Sequence, residues 1–255
     1  MAGSMFSQSD EVIFQDILGA RKVILNAPKK LNALGYEMIR KIFENLKSYE
    51  IDPTVKIVVL KAYGKVFSVG GDLVAAWKII RLAHWSVVAT YYRKVFTLDY
   101  LLATYKKPMV AIIDGVVMGG GVGISVHSTF RIVTENTIFA MPEASIGLFP
   151  DVGASYFLSR LPGFFGEYMG LTGTRLDAAE MLVVRLGTHF VPSEKLQSLE
   201  KALEKLVASS DATCLATMST IINKFAIEVK VKPTSPISRI WSKLQKKFRL
   251  VVLFN

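Results

Sequence analysis

A single cysteine, Cys214, in 255 residues leaves no partner for an intrachain disulfide, so packing has to hold the fold, which suits a reducing compartment. Cys214 itself reads as a small buried apolar residue. Histidine is scarce, three in the chain, and no Cys/His spacing matches a zinc site. Charged residues are only 20% of the chain against 51% hydrophobic ones, which excludes a disordered polymer. The longest apolar stretch, residues 109–126, contains Asp114 and five glycines and would not make a membrane span. The N-terminus, MAGSMFSQSDEV, has no basic segment, no apolar segment and no arginine, so it does not read as a targeting peptide. The C-terminal Leu253-Phe254-Asn255 is not a peroxisomal tripeptide. There is no repeat of solenoid period. Neither a membrane nor a resident metal is expected.

What is present is a basic chain, formal charge +10, with enough apolar residues to bury a sizeable core. The basic residues are scattered until Lys243, Lys246, Lys247 and Arg249. No nucleic-acid motif accompanies them. The excess suits a small molecule with several phosphates, or simply a solvated surface.

Residues 110–151 carry the most legible chemistry. A β-type run from Val110 reaches a turn at Asp114-Gly115, and three glycines follow, Gly119, Gly120 and Gly121. Glycine allows positive φ and close backbone approach. A glycine run opening a small-residue helix can aim free N–H groups at an oxyanion, or can serve only as a tight packing contact. Further on, Glu143 and Asp151 stand in loops bounded by Pro142, Gly147, Pro150 and Gly153. Earlier, Phe67-Ser68-Val69-Gly70-Gly71-Asp72 is a second glycine turn, so two turns could each supply one donor.

FSVGGD, VMGGGVG and FAMPEASIGLFPDVGASYFL, in this order and spacing, resemble the crotonase (enoyl-CoA hydratase/isomerase) superfamily over residues 11–206. The aspartate eight residues after the glutamate is similar to the 3-hydroxyisobutyryl-CoA hydrolase branch. The resemblance implies an α/β fold, a spiral of ββα turns with a helical C-terminal part. It implies a core over residues 1–207 that binds acyl-CoA, and a helical segment over 208–255 shorter than in that branch. It implies hydrolysis of a short β-hydroxyacyl-CoA thioester, as in valine breakdown. Gly71 and Gly120 would be the oxyanion donors and Glu143 the nucleophile or the base that activates water. Asp151 would orient water or substrate and raise the Glu143 pKa by like-charge proximity.

Lys29 and Lys30 read physically as a cationic turn before a helix, and the resemblance implies that they lie near CoA phosphates. It likewise implies that Leu31, Ala33, Val69, Gly70 and Asp72 border CoA. Asp72 reads in its own right as a helix N-cap. No cofactor is implied, because CoA is part of the substrate. The superfamily commonly forms trimers or hexamers, so a homo-oligomer is the matching expectation, and peroxisome or mitochondrion is the matching compartment. The branch carries a substrate-contacting glutamate where this chain has Val95. Hydratases of the superfamily use two glutamates, and the first falls where this chain has Gly123. An enoyl-CoA hydratase or isomerase is thus one alternative, and an inactive CoA-binding paralogue is the other.

The remaining pattern supplies the elements. Residues 12–17 and 21–25 make a hairpin around Leu18-Gly19, and residues 36–49 a helix with Ile39, Ile42, Phe43 and Leu46 on one face. A buried strand spans 55–60, a long helix 76–105, and a further strand 130–134. Short helices cover 153–160, 164–172 and 175–185. A strand holds His189, Ser193 caps a helix running to Val207, and a last helix covers 212–227. His84, His127 and His189 rank below the carboxylates as catalytic groups.

Overall fold

A computed structural model describes residues 10–82, 84–208 and 215–232; Cys214 and the basic cluster from Lys243 lie outside them. The chain starts with the strands β1 (Val12–Ile17) and β2 (Ala20–Leu25), an antiparallel hairpin. Its turn residues, Leu18 and Gly19, both have positive φ, as a two-residue turn matched to strand twist requires. Helix α1 (Tyr36–Ile51) follows, burying Met38, Ile39, Ile42 and Leu46 as their helical spacing predicts.

Two strands then alternate with helical segments. They are β3 (Ile57–Ala62) and β4 (Val66–Ser68), then α2 (Leu73–Leu82) and α3 (Trp85–Ala103). Next come β5 (Met109–Ile113), β6 (Val116–Met118) and α4 (Gly120–Val126), then β7 (Phe130–Val133) and β8 (Ile138–Ala140). Each turn of this spiral adds one parallel strand to each of two sheets. One sheet runs β1-β2-β3-β5-β7-β10 and the other β4-β6-β8-β9. The α/β spiral expected from the sequence is what forms.

The end of the chain closes both sheets. It comprises α5 (Ala154–Leu158), α6 (Phe165–Thr172), β9 (Leu176–Asp177), α7 (Ala178–Val183), β10 (His189–Phe190), α8 (Leu196–Ala208) and α9 (Leu215–Asn223). The large sheet is covered on both faces. Val58 and Leu60 of β3 enter the core shared with α1 and α3, while Ile57 and Val59 enter the one beneath α8 and α9. That two-sided burial is why the strands read as unbroken apolar runs rather than as alternation. Helix α8 is also tied to the sheet by charge: Lys22 Nζ lies 2.7 Å from both Glu200 and Glu204.

Three expectations need correcting. The long helix over 76–105 is two helices, with His84 as N-cap of the second, its Nδ1 accepting from Ser86 N–H. The helix over 175–185 begins instead as β9, and Asp177 and Glu180 form a capping box before α7. Ser193 caps nothing: its N–H and hydroxyl both donate to Glu135, a distant carboxylate that outcompetes the local role.

Asn32 fixes the loop between β2 and α1. It is fully buried at φ +51°, its side-chain oxygen accepts from Ala27 N–H at 2.8 Å, and its amide donates to Tyr63 O at 3.0 Å and Val66 O at 2.7 Å. Asn32→Ala would strand these groups, and urea unfolding should show a loss of roughly 2–4 kcal/mol. A loss below about 0.5 kcal/mol, the size of an ordinary surface change, would mean the loop holds without it.

Candidate active site

The loop that Asn32 fixes lies against the first glycine turn. Leu34 N–H donates to Gly70 O at 2.8 Å, Val69 N–H to Leu31 O at 3.2 Å and Asp72 N–H to Leu34 O at 3.3 Å. Leu31, Ala33, Val69, Gly70, Gly71 and Asp72, assigned to one ligand from the sequence, are thus on two paired segments. Asp72 also caps α2, its carboxylate accepting from Ala75 N–H at 2.9 Å. Lys29 and Lys30 sit exposed on the turn that leads in, and Lys30 pairs with Glu11 at 2.6 Å.

The second glycine turn meets the first. A methyl on Gly70 would fall 2.8 Å from Gly120 N and 3.0 Å from Met118 O, and one on Gly120 would fall 3.3 Å from Gly71 N. Only residues without side chains let the two backbones come this close. Neither donor is spent. Gly71 N–H makes no hydrogen bond among the described residues, and Gly120 N–H, first in α4, has no helical acceptor. Beneath Gly71 lies Tyr91, whose hydroxyl donates to Leu34 O at 2.7 Å; burial raises its pKa.

Glu143 approaches this point from the end of β8. It opens a single 3-10 turn, Glu143–Ile146, after Pro142. Its Oε1 stands 2.7 Å from where a Cβ on Gly119 would be, and Gly119 holds φ +48°, ψ −120°, a conformation essentially reserved for glycine. The carboxyl is 6% exposed and its Oε2 has no partner among the described residues. Burial pushes its pKa up to about 7, with the Asp151 charge adding and a bond from its own backbone N–H opposing. Asp151, half-buried on the loop before α5, is itself raised by burial. Two carboxyls with neutral-range or raised pKa values and no ion pair among the described residues are what acid/base or nucleophilic chemistry at neutral pH requires.

Two cavities flank the site. One, of about 430 Å³, lies beside Asp72 and Tyr91 between α2 and α3. The other, of about 570 Å³, is lined by Asp151, Asp99, His127, Phe149 and Tyr156. His127 is held below its ordinary pKa by burial, and Arg131 adds to that. His84 and His189 do not line either cavity. Val95 is buried in the core. No group of three His, Cys, Asp or Glu side chains among the described residues could hold a metal ion, and no helix among them is long and apolar enough to cross a membrane.

Sequence reasoning missed Asp99 and Asn32. The signal for Asp99 was available. It stands on the buried stripe of α3 with Val88, Val95, Leu98 and Leu102, an acid at a core position. Asn32 could have been suspected only from asparagine's tolerance of positive φ.

A profile of the enoyl-CoA hydratase/isomerase family matches residues 20–251. The 3-hydroxyisobutyryl-CoA hydrolase 1 of Arabidopsis thaliana is 50% identical over 94% of this chain and 62% of that protein. The mitochondrial 3-hydroxyisobutyryl-CoA hydrolase of Gallus gallus is 44% identical over 87% of this chain and 56% of its own length. Among solved structures, a carnitinyl-CoA dehydratase from Mycobacterium thermoresistibile superposes with TM-score 0.82 at 32% identity, covering 93% of this chain and 66% of that one. The chain therefore spans less than two thirds of the length of these curated relatives.

NMR titration of carbon-13-labelled glutamate side chains should find one residue near pH 7, absent in Glu143→Gln. Asp151→Asn should lower that value without returning it to the ordinary carboxylate range, because burial is the larger cause. A Glu143 titrating with the surface glutamates would contradict the buried geometry.

Proposed function

Because the chain belongs to the enoyl-CoA hydratase/isomerase family, we propose that it hydrolyses the thioester of 3-hydroxyisobutyryl-CoA or a comparably short β-hydroxyacyl-CoA. The observation that carries this reading is the contact between Glu143 and the Gly119 hinge, one residue from a free amide that faces a second. The 50% identity to a plant 3-hydroxyisobutyryl-CoA hydrolase supports the choice of substrate.

In this reading CoA lies along the paired segments Leu31–Leu34 and Val69–Asp72, with Lys29 near its phosphates. The thioester oxygen accepts from Gly71 N–H and Gly120 N–H. Both bonds strengthen as the carbonyl becomes a tetrahedral oxyanion, so they lower the barrier rather than merely hold substrate. Glu143 then drives attack on the carbonyl carbon. It either takes a proton from water as the new C–O bond forms, or attacks directly to give an anhydride that water cleaves. In both routes the C–S bond breaks and CoA leaves as thiolate, which takes up a proton. Asp151 keeps Glu143 basic enough to act near neutral pH and holds water or substrate on its far side. The compartment that fits is mitochondrial or peroxisomal, as the relatives' names suggest for the first.

Paired-glutamate hydration fits less well. A side chain at Gly123 would meet Val152 Cβ at 2.7 Å and Asp99 Oδ1 at 2.8 Å, so the first of the two hydratase glutamates has no room.

Release of CoA thiol from 3-hydroxyisobutyryl-CoA should be readily measured for the wild type. It should fall about 10³-fold or more in Glu143→Ala. Hydration of crotonyl-CoA without thiol release would overturn the hydrolase reading. Folded wild-type protein that binds CoA and turns over nothing would identify the inactive paralogue. The wild-type rate should rise with pH through about 7, because Glu143 must lose its proton to act. A single turnover in water labelled with oxygen-18 that leaves label in Glu143 identifies the anhydride route, with water attacking the glutamyl carbonyl.

A further inference from the structure

Asp99 has no part in the chemistry above, yet it is the most exceptional carboxyl among the described residues. It is 5% exposed, and neither of its oxygens has a hydrogen-bond partner there. No cation compensates it. The one charge acting on it is Asp151, of like sign, and burial together with that charge pushes its pKa up to about 8. An apolar residue would serve the core stripe of α3 better, since a buried polar group without a partner is costly.

Its surroundings point to the missing partner. Oδ1 lies 2.8 Å from where a Cβ on Gly123 would stand, and Val152 of the Asp151 loop crowds the same spot. Gly123 is three residues into the helix that opens with Gly120, roughly 4.5 Å farther along its axis. Asp99 also lines the 570 Å³ cavity with Asp151. Asp151 acts by charge on Glu143 as well as on Asp99.

We propose that Asp99 is a specificity-determining residue whose carboxyl hydrogen-bonds the hydroxyl of the β-hydroxyacyl group. This rests on the hydrolase reading for its substrate class. The hydroxyl on the third carbon stands three covalent bonds from a carbonyl held at Gly120. A carboxylic acid offers one donor and an acceptor, and an alcohol offers the same, so the pair satisfies both. An acyl group without the hydroxyl leaves Asp99 unpaired, and a site built around a buried polar group rejects such analogues.

The test compares 3-hydroxyisobutyryl-CoA with isobutyryl-CoA, identical but for the hydroxyl, on wild type, Asp99→Ala and Asp99→Asn. The wild type should prefer the hydroxylated thioester in kcat/KM. Asp99→Ala should cut that preference by about 30-fold, through the hydroxylated substrate alone. Asp99→Asn, which keeps a donor and an acceptor, should retain most of it. Thermal melting confirms that each variant is folded. Equal losses on both substrates, or an unchanged preference in Asp99→Ala, would overturn the proposal and make Asp99 a packing residue. If the wild type hydrolyses neither, the hydrolase reading fails on its own, and calorimetric binding of the same two thioesters still reads Asp99. A tighter Kd for the hydroxylated ligand that Asp99→Ala abolishes supports the assignment, and equal wild-type Kd values refute it.

Discussion

The site depends on a close approach between two stretches of bare backbone. Gly70 and Gly120 stand so near that a single methyl on the first would collide with the amide of the second. Ser68 holds one side, its hydroxyl donating to Asn32 O at 2.8 Å and accepting from Gly70 N–H at 3.1 Å. Gly121 packs against that same serine, where a side chain would come within 2.7 Å of Ser68 O. Two turns from successive rungs of a spiral are thereby locked together with an unspent N–H on each. The parallel pairing of β4 with β6 and of β6 with β8 brings those rungs, and then Glu143, into line.

Electrostatics sets a basic chain against three buried or half-buried carboxyls. The chain carries a formal charge of +10, yet Glu143, Asp151 and Asp99 are buried or half-buried with no ion pair among the described residues. Burial dominates each of their shifts, and Asp151 couples to both of the others. The contrast with Glu200 is instructive: it is equally buried, but Lys22 and Lys61 pair with it and its pKa is lowered. One buried carboxylate is tied down as a structural anchor beneath α8, while three are left able to exchange protons or partners. That division matches a polyphosphate handle outside and a reacting thioester inside.

Much of this was legible in the sequence because it is imposed locally. A glycine that must lie against another backbone cannot be anything else, so the two glycine turns stand out wherever they fall. Glu143 and Asp151 follow proline and glycine signals that fix their loops. The Leu18-Gly19 hairpin and the face of α1 follow from turn chemistry and spacing. Most of what escaped notice depends on distant partners. Residues 76–105 look like one apolar helix, yet His84 caps a second helix locally through Ser86 N–H. Ser193 reads as a cap until Glu135 arrives from 58 residues away. Asp99 could be counted on an apolar stripe, but only the packing of Gly123 and Val152 shows that it is buried without a partner.

The central claim is that the Gly71 and Gly120 amides polarise a thioester carbonyl beside Glu143. Difference infrared spectroscopy of a short acyl-CoA carrying a carbon-13 carbonyl, bound to Glu143→Ala so that it is not consumed, measures this directly. The account predicts a carbonyl stretch shifted to lower frequency than in water. A bound carbonyl at its aqueous frequency would contradict it.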